Sequence, residues 1–277
     1  MRYRWRARLE SPPPETWLNW AARFGYAACG LVYVAIGIAA LAVAVGLAEE
    51  PAGSRGVMRF LAAQPLGPFV LAALGVGLAG YAALNFAGAI SDPEGRGVSL
   101  WAIMIRAVDA LTGALYVALA VAALGTVIDP AREVTDVAVM WASRILSLPA
   151  GSWLLGSLGV VLTLSGGYLF NRAFQEKFGE MLDRRVLSLS SRRAIAIAAR
   201  AGTAARGLIF AICGLLVIRA AVDSSPEIVG DAGDALAMIG EATFGPLLLA
   251  IVGTGFIAYG AYQLAKARYQ RITAAQA

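Results

Sequence analysis

Three arginines stand at matching places in the chain: Arg23 in ARFGYAACGLVY (22–33), Arg106 in IRAVDALTGALY (105–116) and Arg200 in ARAGTAARGLIF (199–210). Each is followed after seven residues by a glycine (Gly30, Gly113, Gly207) and three residues later by an aromatic (Tyr33, Tyr116, Phe210). Three guanidinium groups gathered in one place would attract an anionic solute or a lipid headgroup. Standing singly at the mouths of apolar runs, the same groups would snorkel to the headgroups and fix orientation. A ring of arginines requires the three segments to surround a common axis.

Two further charges break the pattern. Asp109 lies about one helical turn beyond Arg106, where the other copies have Tyr26 and Thr203, and Arg206 occupies the position of Cys29 and Thr112. Acids inside a membrane are costly and face a partner or a wet cavity. A pair between Asp109 and Arg206, or between Asp109 and Arg106, would offset that cost; a proton- or cation-linked role for Asp109 is the functional alternative. Asn85, Asn171 and Gln263 read as interhelical hydrogen-bonding groups. Arg23, Arg106, Asp109, Arg200, Arg206, Asn85, Asn171 and Gln263 together make a candidate polar layer near the cytoplasmic side.

Other chemistry finds little support. The chain has no histidine, which removes imidazole ligation of haem, nearly all catalytic zinc and copper sites and every histidine-based triad. Its two cysteines, Cys29 and Cys213, form no CxxC pair and read as small packing residues. GVGLAG (75–80) matches the dinucleotide-binding glycine pattern but lies inside an apolar run, without the strand and acid that the fingerprint needs. No cofactor, metal or catalytic residue is expected.

The elements that must position these residues are membrane spans. Hydrophobic residues make up 59% of the 277 and charged residues 15%, against about 45–50% and about 25% in soluble domains. Charge-free runs at Phe24–Ala48, Phe60–Ser91, Ala110–Ile128, Ile145–Asn171 and Ala242–Ala265 match the roughly 20 apolar residues that cross a bilayer core. A sixth, Ala201–Val222, contains Arg206 and Arg219 and is secured by its likeness to the others. The first run is too long for a signal peptide and is read as retained.

Small residues recur at fixed offsets. The odd runs align through the arginine, the glycine, the aromatic and then Gly37, Ala120 and Gly214; the even runs align through Gly67, Gly151 and Gly245, each with a glycine eight residues on. Positions seven apart on a helix return within about 20° and three apart within about 60°, so the odd set forms a packing stripe; the repeated glycines of both sets read as packing surfaces where backbones approach closely in lipid, with room for a pathway as the alternative. The loops before the even runs, 56–65, 135–149 and 233–245, carry apolar residues at helical spacing and predict short helices at the outer interface or, alternatively, outward extensions of the even helices. The expected fold is an all-α integral membrane protein of six transmembrane helices in three tandem two-helix repeats. Repeat 1 covers 17–92, repeat 2 covers 99–178 and repeat 3 covers 192–271, after a basic tail at 1–16.

Charge distribution predicts orientation. With six alternating spans, 18 of the 23 basic residues fall on the side of both termini, while ten acids and five arginines fall on the other. Cytoplasmic loops carry the excess of Lys and Arg, so both termini are expected in the cytoplasm, with a bacterial inner membrane as the location. The net charge of +5 follows from this distribution and does not call for nucleic acid. The expected partners are the bilayer, anionic lipid near the Arg172–Arg193 loop, and a membrane-protein partner or a second copy.

The arginine motif, the Pro-Leu-Gly or Phe-Gly-Pro turns and the closing GFIAYGAYQLAKARY resemble a bacterial membrane family, domain-of-unknown-function family 1206, over about residues 17–271. The third unit fits best and the second departs most. The resemblance implies tandem two-helix units and a membrane location, and no reaction. Two functions are expected from the residues: a small transport or channel-like protein, or a non-catalytic scaffold or module that binds lipid or protein.

Overall fold

The computed structural model describes residues 17–91, 100–128, 137–175 and 189–269. Among these residues the fold is all-helical. Six long helices, α1 (Trp17–Ala44), α3 (Gly67–Ser91), α4 (Leu100–Ile128), α6 (Gly151–Gln175), α7 (Leu189–Asp223) and α9 (Gly245–Tyr269), follow one another in pairs, with a short helix inside each pair, α2 (Ser54–Ala62), α5 (Val137–Leu146) and α8 (Ala232–Gly240). Apolar spans of 23 to 31 residues run within the six long helices; at about 1.5 Å per residue each is long enough for a bilayer core of about 30 Å. The helix carrying Arg206 is continuous from Leu189 to Asp223, longer than its hydropathy alone suggests.

The short helices are separate elements rather than outward extensions of the long ones. Each ends in a tight turn closed by a backbone bond from the first residue of the next span, Gly67 to Gln64, Gly151 to Leu148 and Gly245 to Ala242. A side chain on Gly67, Gly151 or Gly245 would collide with the carbonyl of Leu61, Ile145 or Gly240. These three glycines are therefore corner residues, where sequence reading made them packing positions. Pro68 and Pro246 follow in the first turn, where no N–H partner is needed. At the far end of α1, Gly46 takes a left-handed conformation (φ 76°) and Leu47 N–H reaches back to Ala42, ending the helix in a Schellman turn.

The long helices form a ring in the order α4, α3, α1, α9, α7, α6. Its first and last spans lock together through two glycine pairs: a Cβ on Gly37 would stand 2.6 Å from the Gly253 carbonyl, and one on Gly260 2.5 Å from that of Gly30. The pairing runs in opposite senses along the two helices, so they are antiparallel. Helices α6 and α7 repeat the arrangement with Gly159 against Gly214 and Gly166 against Gly207. The α3–α4 contact is built differently, with Gly75 against Leu124 and Gly113 against the Phe86 ring.

One seam is nearly open. Helices α4 and α6 touch at few places, and their contact is the small cluster Ile105, Val108, Tyr168 and Leu169 at the start of α4 and the end of α6. Toward the other end they diverge, and α5 packs there on α6 and on the 3-10 turn Pro226–Ile228.

Gly37→Val is expected to destabilise the protein by about 1–3 kcal/mol, because the facing carbonyl cannot yield. Gly167→Ala, where a Cβ meets nothing within 4 Å, is expected to be neutral or to gain up to about 1 kcal/mol of helix propensity. Unfolding of both variants in detergent distinguishes the two outcomes.

Candidate functional site

Where glycines let the helices approach, larger side chains fill the ring's interior. Arg206, on α7 and 7% exposed, is the most informative of them. Its Nη1 donates to the Tyr259 hydroxyl at 2.9 Å and its Nη2 to Thr112 Oγ1 at 3.1 Å. The guanidinium carbon lies 5.0 Å from the centre of the Phe210 ring and 5.7 Å from that of Tyr259. Nε is buried with no hydrogen-bond partner. Neutral hydroxyls and aromatic faces thus hold the cation; a desolvated cation–π contact contributes about 2 kcal/mol, less than burial of a charge costs.

A second network adjoins the first. Tyr116 donates to the Tyr33 hydroxyl at 3.2 Å and also lies 3.2 Å from Cys29 Sγ. Gln263 Nε2 donates to the Tyr81 hydroxyl at 2.9 Å and approaches Cys29 Sγ at 3.4 Å, while its Oε1 is buried without a partner. Edge-to-face contacts join Tyr33 to Phe256 and Tyr259, Tyr81 to Tyr116, and Tyr26 to Tyr81. Lys266 caps the α1–α9 side, its Nζ 4.1 Å from the centre of the Tyr26 ring. Five helices therefore share one aromatic, hydroxyl-rich core.

The residues singled out in the sequence divide between this core and its periphery. Tyr33, Tyr116, Phe210, Arg206 and Gln263 meet inside the ring. Arg106 instead caps α3: its Nε donates to the Ala89 carbonyl at 2.6 Å and its Nη2 to that of Ile90 at 2.9 Å, which suits a cation to a helix C-terminus. Arg23 is half-buried and Arg200 exposed. Asn85 donates to the Tyr81 carbonyl one turn back, and Asn171 accepts from Gln175 on its own helix, so neither amide bridges helices through these bonds. Asp109 is half-buried, with Oδ2 3.8 Å from where a side chain on Gly88 would begin. Nη1 and Nη2 of Arg206 donate to Tyr259 and Thr112, neutral groups where the sequence reading offered Asp109 as a partner.

Sequence reading missed Tyr81, Tyr259 and the polar contacts of Cys29. The signal was present: each tyrosine stands six residues after an aligned glycine, Gly75 or Gly253.

Beside Arg206 lies a cavity of about 330 Å³ between α4, α6 and α7. Its polar end is formed by Arg206, Tyr33 and Tyr116; its walls include Leu111, Leu115, Ala118 and Ala122 of α4 and Leu155, Leu158 and Leu162 of α6; Trp141, Ala142 and Ile145 of α5 line its far end. Leu115, Leu158 and Trp141 line it and are still 42%, 38% and 54% exposed, so the cavity opens sideways through the seam. Among the described residues no group of three or more Cys, Asp or Glu is placed to hold a metal ion.

The family model described as Domain of Unknown Function (DUF1206) matches residues 24–92 and 201–270, half of the chain. The chain belongs to the DUF1206 family. The DUF1206 matches take in most of α1 and α7 with α2, α3, α8 and α9, leaving α4 to α6, which border the cavity, outside them. The chain is also similar to Uncharacterized protein YxxB of Bacillus subtilis (strain 168), with 29% identity over 98% of this chain and 97% of that protein. No solved structure matches it. Among its described residues the DUF1206 chain has six helices long and apolar enough to cross a membrane.

Tyr259→Phe and Thr112→Val each remove one acceptor from Arg206. Each is expected to cost about 1–2 kcal/mol, in the upper range for interhelical hydrogen bonds in membranes. The double variant should be non-additive because both changes act on one guanidinium. Denaturant titration of the four proteins reads out the coupling.

Proposed function

We propose that this protein binds a lipid-like molecule drawn from the bilayer, within the cavity between α4, α6 and α7. The observation that carries the reading is the seam: α4 and α6 meet only at one end, and the space between them is apolar, open sideways and bounded by a buried cation. A cavity of about 330 Å³ lies at the small end of the roughly 300–1,000 Å³ typical of ligand sites. Lateral entry suits a molecule already dissolved in the membrane.

The transport-like reading draws on the same interior. Passage of hydrophilic solutes needs a lining of polar groups, whereas most of the cavity wall is aliphatic. Arg106 is engaged by the end of α3 and Arg200 is exposed. These placements favour a binding module over a hydrophilic channel. The three long–short–long helical units are read as copies of one two-helix repeat, supported by the aligned arginine and glycine positions. The excess of basic residues on one side supports termini in the cytoplasm and a bacterial inner-membrane location.

Native mass spectrometry of the protein extracted in polymer nanodiscs should show a retained molecule of lipid-like mass. Ala118→Trp, which fills the cavity, should abolish that mass while leaving the fold intact by circular dichroism. An empty wild-type protein that also takes up no added amphiphile would remove the reading. A reporter fused to the C-terminus should be active in the cytoplasm and silent when exported; the reverse pattern would overturn the orientation.

A further inference from the structure

The polarity of the cavity is graded along its length, and that gradient identifies a ligand class. Resting on the lipid-binding reading above, we infer that the occupant is a single-chain amphiphile with a carboxylate head held at Arg206 and a tail running toward α5.

Charge gives the first part of the argument. Arg206 is 7% exposed near the middle of the span Arg193–Asp223. Its described partners, Thr112, Tyr259 and Phe210, are all neutral, and its Nε–H has no hydrogen-bond partner. A buried cation held this way retains much of its desolvation cost. An anion reaching the guanidinium offsets that cost directly, in a region where water cannot compete. A neutral head, such as an alcohol, supplies a hydrogen bond without the charge.

The number of cations limits the anion. Among the described residues lining the cavity Arg206 is the one cation; Lys266 faces Tyr26 and Tyr262. One guanidinium matches one negative charge, so a carboxylate fits better than a doubly charged phosphate ester. Carboxylates also suit the planar donor fork of arginine.

Direction follows from the other end. Asp231 and the backbone of Gly230 lie at the outer part of the lining, and the Asp231 carboxylate is fixed there, accepting from Gly233 and Asp234 N–H as the cap of α8. At that end Trp141, Ala142 and Ile145 of α5 line the cavity and accept hydrocarbon. The α4 wall from Leu111 to Ala122 spans three helical turns, or about 16 Å. That length and the small volume favour one acyl chain over a two-chain lipid.

The test uses the full chain in nanodiscs and compares lauric acid, lauryl alcohol and lauryl phosphate by native mass spectrometry with competition. Laurate should bind about tenfold or more tightly than the alcohol, the ratio expected for hydrogen bonds to a charged partner, and more tightly than the phosphate. Arg206→Gln should erase the preference for laurate while the alcohol still binds, and Arg206→Lys should restore part of it. Equal binding of laurate and alcohol by the wild type would overturn the carboxylate assignment without needing any variant. If that alcohol binding disappears in Ala118→Trp, the lipid-binding reading survives; if no probe binds, both fall. Preference for lauryl phosphate would replace the carboxylate with a phosphate head.

Discussion

Lipid surrounds these helices with a solvent as apolar as their own side chains, so burial of hydrocarbon does little to bring them together. Close backbone contact must do so instead, and only small residues allow it. The pairs Gly30–Gly260 and Gly37–Gly253 join α1 to α9, and Gly166–Gly207 and Gly159–Gly214 join α6 to α7. Every other feature of the interior depends on these contacts, because they set how near the helices stand and hence what fits between them. Where the constraint is relaxed the ring loosens. At α3–α4 a phenylalanine ring occupies the face of Gly113, and between α4 and α6 the packing shrinks to one small cluster.

The polar core makes sense in that frame. Six tight helices leave room at the axis for aromatic rings, whose edges and hydroxyls can be satisfied by one another. Tyr33, Tyr81, Tyr116 and Tyr259 provide a medium in which an arginine can be dissolved without a carboxylate. Arg206 is held by the oxygen of Tyr259 and Thr112 and by two ring faces. It stands where the rings meet the open seam, so the least compensated charge of the interior borders its least packed region.

Much of the architecture was legible in the chain because apolar length and glycine spacing are local signals. The six spans follow from runs of apolar residues, and the short helices between them from residues such as Met140, Trp141 and Ile145 at helical spacing. Gly67, Gly151 and Gly245 were visible as a repeated feature, but their role as corners depends on how each span folds back on the preceding turn. The site was less legible. Alignment made Arg23, Arg106 and Arg200 equivalent, yet rotation and neighbours separate them: Arg106 finds free carbonyls at the end of α3, Arg200 faces outward and Arg23 is half-buried. Arg206 stood out as an unmatched charge, but its acceptors come from α4 and α9, and no local pattern announces that Thr112 and Tyr259 converge on it. Cys29 looked like a spacer until Tyr116 and Gln263 were placed beside it.

The locking of α1 against α9 also has a consequence for biosynthesis. Helices enter the membrane in chain order as the ribosome delivers them. Neighbours in sequence such as α3 and α4, or α6 and α7, can join soon after the second of each pair arrives. Helix α1 cannot find its main partner until α9 has been made, so Gly30 and Gly37 wait in lipid until then. The ring is thus completed in a single late event, and a chain stalled before α9 presents an unfinished face that quality-control proteases or membrane chaperones can recognise.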